Sequence, residues 1–141
     1  MNTHNITGFT PSLFSILKKN KIPLIHTMHD QYLLCFKCTM FDKSLCMSKC
    51  IKCKLLKFNY KKFVSKVDHF IGVSNFITNK HISYNLITKK NSSTIQNIIT
   101  NPISFKRKEI DHNIDEIVRF GYIGTISEEK GVNYLIDQIL K

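Results

Sequence analysis

Short apolar runs alternate with stretches of helical spacing along this chain, and the order of the two predicts its architecture. Thr10-Pro11 marks a helix start, a capping hydroxyl followed by a proline whose missing amide costs nothing in a first turn. Leu13, Phe14 and Leu17 then form an apolar stripe, and Lys18-Lys19-Asn20 supplies a positively charged, helix-ending last turn. Ile22-Pro23-Leu24-Ile25-His26-Thr27 predicts a strand, with its proline at the opening where no ladder bond is lost. A cysteine-rich loop follows, then a helix near Leu55–Val67, a strand at His69–Val73, a helix begun by Ser74 or Asn75, and a strand at Ser93–Ile99. Polar and charged residues displace this pattern over Asn101–Asn113, which predicts a linker. Beyond it, Ile117–Ile123 reads as a strand and Glu128–Leu140 as a helix, with Val132, Leu135, Ile136 and Ile139 at helical spacing.

Alternating strands and helices imply right-handed crossovers and a parallel sheet with helices packed on it, the α/β class. The expected organisation is a Rossmann-like sheet over residues 1–100 with a cysteine-rich insert at 35–53, a linker at 101–117, and the first βα unit of a second Rossmann-like domain at 118–141. One βα unit cannot bury its own sheet, so Arg119–Lys141 is expected to be the opening of a second domain whose remainder is absent.

Composition narrows the partners. The 141 residues carry 21 basic and 10 acidic side chains, a formal charge of +11, which raises nucleic acid or an anionic membrane as a partner. All the bases except Arg107 and Arg119 are lysine, whereas bidentate recognition of phosphate and guanine favours arginine, so no specific nucleic-acid partner is expected. The excess is also local, because eight lysines and no acid lie between Asp42 and Asp68. No apolar run is long enough to span a membrane, and Met1–Thr10 lacks the basic start of a secretory signal, so a cytoplasmic location is expected, with peripheral contact at the inner membrane surface. The basic stretch from Lys54 to Val67 suits either a membrane-surface helix or a crossover helix docked on its own sheet.

All five cysteines fall between Cys35 and Cys53. Cys35/Cys38 and Cys50/Cys53 are two C-x-x-C pairs, a spacing that can fold over one structural zinc, with reduced, partly buried thiols as the alternative. Disulfides are not expected in a chain without an export signal.

Five segments resemble, in order, the N-terminal half of glycosyltransferase family 4 and the start of its second half. They are His4-Asn5 before a helix; Ile22-Pro23 opening a strand that ends in His26-Thr27-Met28-His29-Asp30, with Leu34-Cys35 and the later cysteines; Asp68 to Ser74; Asn101-Pro102-Ile103; and Phe120-Gly121-Tyr122-Ile123-Gly124 with Glu129-Lys130-Gly131-Val132. The resemblance implies the GT-B architecture and a retaining enzyme without a catalytic metal. Such an enzyme passes a sugar from a nucleoside diphosphate sugar to a carbohydrate or lipid-linked acceptor in polysaccharide or glycoconjugate synthesis. It also implies that His29, just past a parallel strand, is the cleft histidine that contacts the donor sugar, and ligands of such sheets do sit beyond the carboxyl ends of strands. The bland alternative is that His29 and Asp30 only cap the next segment. Gly124 and Lys130 match the donor-binding positions, where a glycine admits a phosphate to the backbone and a lysine supplies charge. The family's frequent arginine after that glycine is Thr125 here. His26 is expected to be packed, and His4 is given no chemistry. The competing function is a small zinc-stapled basic module that binds RNA or anionic lipid.

Overall fold

A computed structural model describes residues 1–97 and 120–140 and divides the chain into two units, Met1–Asn97 and Ile98–Lys141. The linker expected at 101–117 and the Asn101-Pro102-Ile103 motif lie outside the described residues.

The first unit is α/β, built on a four-stranded, fully parallel sheet in the order β1-β2-β5-β6: β1 is Asn2–Thr3, β2 Ile25–Met28, β5 His69–Gly72 and β6 Ser92–Thr94. The intervening β3 (Phe41–Asp42) and β4 (Ser44–Leu45) form a separate antiparallel hairpin in the cysteine-rich loop. Helix α1 (Ser12–Lys19) returns the chain from β1 to β2, α2 (Ile51–Leu56) and α3 (Tyr60–Val64) lead into β5, and α4 (Asn75–Ser83) leads into β6. Successive parallel strands are neighbours here, which is the arrangement of half a Rossmann-like sheet.

The register explains the core. His26 lies opposite Phe70, and Met28 opposite Gly72, so one face of the sheet carries the buried side chains that meet Phe14 and Leu17 of α1 and Val64 and Val67 around α3. Gly72 is small for a reason: a Cβ there would stand 2.1 Å from Thr78 Oγ1, so the glycine lets α4 seat against the sheet. Ser74 caps α4, its Oγ accepting from the Ile77 amide at 3.2 Å, as the sequence suggests. Asp68 ties two crossovers together. Its Oδ2 accepts from the Leu24 amide at 2.8 Å and Oδ1 pairs with Lys18, contacts that hold its carboxyl below the usual carboxylate range.

Several elements differ from the expectations. Strand β1 is too short for any hydrophobic period to announce it. Helix α1 begins after Pro11 with no side-chain cap, because the Thr10 hydroxyl bonds Ser12 instead. The helix expected over Leu55–Val67 is two helices. Between them Lys57 turns inward, with Nζ 3.8 Å from the Tyr32 ring centre and 4.1 Å from that of Tyr60, and burial lowers its pKa. In the second unit a short turn at Glu128–Lys130 is separated from α5 (Val132–Ile139) by Gly131, whose φ of +67° interrupts the expected continuous helix. The described end of the strand expected at Ile117–Ile123 is unpaired and exposed, since a strand needs a ladder neighbour and none is present among the described residues of that unit. No helix of the described residues is long and apolar enough to cross a membrane.

The burial pattern makes a direct prediction. Phe70→Ala, at a fully buried site, should lower the urea-measured unfolding free energy by about 3–5 kcal/mol. Phe58→Ala, at a site 74% exposed, should change it by less than about 0.5 kcal/mol. Equal effects from the two would contradict this assignment of the core.

Candidate functional site

The carboxyl ends of β1 and β2 lie side by side, and the residues just beyond them converge. His4 Nδ1 and His29 Nε2 are hydrogen-bonded at 2.9 Å, with ring centres 5.2 Å apart and planes tilted by 32°. Both rings are exposed, and they line a cavity of about 10 Å³ together with Asp30, Tyr32 and, at its base, His26. A bond between two ring nitrogens requires one N–H donor and one bare acceptor, so the tautomers of the two histidines are coupled. The second nitrogens, Nε2 of His4 and Nδ1 of His29, are left for a ligand.

His26 supports this pair from below. Its ring is 97% buried, meeting Phe14 at 5.3 Å and Phe70 at 6.2 Å in edge-on contacts. Thr3 Oγ1 spends its one proton on the Ile25 carbonyl at 3.2 Å, so the 2.9 Å contact with His26 Nδ1 is a bond donated by the imidazole. Burial, reinforced by the other histidines, pushes the His26 pKa down to about 4, and the ring is neutral at physiological pH.

Asp30 does serve as a local cap, with Oδ1 accepting from the Tyr32 amide at 2.7 Å. His29 does not; its ring nitrogen goes to His4. Tyr32 in turn stacks on Lys57, so the buried cation braces one wall of the cavity. His4, which received no role from the sequence, is thus the residue that reading missed. The signal available was the His4-Asn5 pair, but its partner lies 25 residues away and β1 has no readable period.

The other expected site residues are placed as follows. Gly124 has φ +153°, and a Cβ there would meet Tyr122 Oη at 2.9 Å, while that hydroxyl donates to the Thr125 carbonyl at 2.8 Å. Lys130 is exposed at the end of the short turn before α5. In the cysteine-rich loop, Cys35 and Cys53 are buried with their sulfurs 3.6 Å apart, and Cys50 begins α2. Cys38 is half-buried with a left-handed backbone, φ +66°; its amide bonds the Cys35 carbonyl at 3.2 Å and its carbonyl accepts from the Gln31 amide at 2.9 Å. Among the described residues, no three histidine, cysteine, aspartate or glutamate side chains already converge as a metal cluster.

No protein-family model matches the chain, and no solved structure matches it. Among curated proteins it is similar to one from Klebsiella pneumoniae described as an uncharacterized 42.6 kDa protein in cps region. The two are 30% identical over 132 residues, which cover 93% of this chain and 34% of the relative. The chain therefore spans about a third of the length of the curated relative it matches.

The buried histidine makes the first unit acid-sensitive. Above pH 6.5 His26 is neutral both folded and unfolded; between 6.5 and about 4 only the unfolded chain takes up the proton. Stability should therefore fall as pH drops through that window, by on the order of 3 kcal/mol for this group, with His81, also lowered by burial, acting in the same direction. Urea unfolding at stepped pH values measures the slope, and His26→Gln should flatten it. Identical slopes for the two proteins would contradict the assignment.

Proposed function

We propose that this chain is part of a retaining glycosyltransferase, one that passes a sugar from a nucleoside diphosphate to a carbohydrate or lipid-linked acceptor. The observation that carries this reading is the hydrogen-bonded His4–His29 pair beyond the carboxyl ends of two adjacent parallel strands. Open α/β sheets bind ligands at that position, and a hydrogen-bonded imidazole pair suits the hydroxyls of a sugar. The resemblance of the surrounding motifs to glycosyltransferase family 4 supports it. So does similarity to a protein of a cps region, since capsule gene regions encode polysaccharide synthesis.

In this reading His29 contacts the donor sugar near the reacting carbon, and His4 is a positioning residue that fixes the His29 ring. In the second unit the resemblance assigns the diphosphate to Gly124, which the Tyr122 side chain overlies, and to the exposed Lys130, whose charge would offset the charge that develops as the diphosphate departs. The same resemblance implies that no catalytic metal takes part. Ile51, Leu55, Leu56 and Phe58 are exposed among the lysines of α2 and the turn after it, a mixture that suits a lipid-linked acceptor at an anionic membrane surface.

The test is an assay of sugar transfer with a panel of UDP- and GDP-sugars, run on the 141-residue chain alone and joined to its flanking reading frames. The joined protein should turn over. The chain alone should not, because the grip on the nucleotide from Gly124 and Lys130 is too small to hold a donor within the roughly 0.5 Å that catalysis demands. His29→Ala should lower kcat on the order of 100-fold, and Lys130→Ala should mainly weaken donor use. A joined protein inert toward every donor would defeat the proposal, and one indifferent to both substitutions would refute these roles.

A further inference from the structure

The cysteine-rich loop between β2 and α2 poses a physical problem that the sheet does not solve. It runs for more than twenty residues, its only regular structure is the two-residue strands of a hairpin, and it has its own small core of Leu34, Cys35, Met40 and Cys53. Leu45, Met47 and Ile51 around it are exposed. A lobe with so little apolar burial ordinarily needs a cross-link or a metal to hold one conformation.

Four of the five cysteines are placed to supply that. Cys35, Cys46, Cys50 and Cys53 all line one cavity of about 10 Å³, room for a single atom, whereas Cys38 is not in its wall. The Cys35 and Cys53 sulfurs stand 3.6 Å apart, close to the edge of about 3.8 Å that a tetrahedron with 2.3 Å zinc–sulfur bonds requires. Cys46 follows the hairpin directly, and its amide bonds the Met40 carbonyl at 2.8 Å, which brings it to the same small core. The spacing Cys46-x-x-x-Cys50-x-x-Cys53 is within the range of structural zinc ligands. Four thiolates on one zinc carry a net charge of −2; Lys49 lines the same cavity to offset it, while Lys37, also in the wall, is paired there with Asp42 at 2.7 Å.

We infer that Cys35, Cys46, Cys50 and Cys53 form a structural tetrathiolate zinc site, with Cys46 taking the position that sequence spacing alone would give to Cys38. Zinc entry displaces one proton from each of the four thiols to solvent and forms four zinc–sulfur bonds; no electron moves. The described residues lack a converged metal cluster, so binding must also draw the Cys46 and Cys50 sulfurs toward the Cys35–Cys53 pair. The inference stands apart from the proposed sugar chemistry, because it is read by metal content and thiol protection rather than by turnover.

The experiment uses the full reduced chain loaded with zinc, and in parallel with cobalt(II) as a spectroscopic probe. One metal per chain is expected, and the cobalt form should show thiolate-to-metal absorption with the intensity of a tetrahedral site. Alkylation of the loaded chain followed by mass spectrometry should label Cys38 and spare the other four until a chelator is added. Cys38→Ser should keep one metal, and Cys46→Ser should lose stoichiometric binding; if the latter fails to fold, the alkylation pattern of the unsubstituted chain decides the ligand set. A chain that takes up no metal, with all five thiols reacting alike, would overturn the site. So would protection of Cys38 with Cys46 labelled, or bound iron with acid-labile sulfide. Isolation of the chain with a Cys35–Cys53 disulfide and no metal would assign the pair to redox chemistry instead.

Discussion

The bond from His26 Nδ1 to Thr3 Oγ1 is the constraint on which the site depends. Strand β1 contributes only two residues to the sheet, and two ladder positions alone would leave it prone to fraying. The imidazole, held neutral between Phe14 and Phe70, adds a buried hydrogen bond that pins Thr3 opposite its partner. The next residue, His4, is then delivered to His29. The same burial that makes His26 useful depresses its pKa, so the support for the site and its acid sensitivity have one cause.

A second level of support comes from groups that would ordinarily face water. Lys57 sits between two tyrosine rings and breaks the crossover helix to get there, and through Tyr32 it bears on the cavity wall. Asp68, at the start of β5, grips the Leu24 amide just before β2 and the Lys18 ammonium near the end of α1, which closes the crossover that carries β2 into the sheet. These charges are placed where the chain changes direction, so each stabilises a junction rather than a surface.

Much of the first unit was legible from the sequence because its signals are local. The apolar stripe of Phe14 and Leu17 and the Ser74 cap depend on near neighbours and appear where expected, and the strand expected at Ile22–Thr27 forms over Ile25–Met28, beginning only past Pro23 and Leu24. His29 could be singled out from its place after a strand together with the family motif His26-Thr27-Met28-His29-Asp30 that it resembles. His4 could not, since its role depends on the pairing of β1 with β2 across more than twenty residues. The inward turn of Lys57 was hidden for a similar reason: lysine at helical spacing reads as solvated, and only the tertiary position of Tyr32 makes burial favourable. In the cysteine loop the repeated C-x-x-C spacing pairs Cys35 with Cys38, and it carries no sign that Cys46 lines a cavity with Cys35, Cys50 and Cys53.

The central claim is that the Thr3–His26 bond orients the His4–His29 pair, and long-range proton–nitrogen NMR of the imidazoles, recorded with and without Thr3→Val, tests it most directly. In the unsubstituted chain at pH 7, His26 should be neutral and protonated on Nδ1, and the tautomers of His4 and His29 should be coupled through their shared bond. Thr3→Val should release the His26 preference and break the coupling of the outer pair while the sheet stays folded. A His4–His29 pair whose tautomers are unchanged by that substitution, or a His26 protonated on Nε2 from the start, would contradict the account.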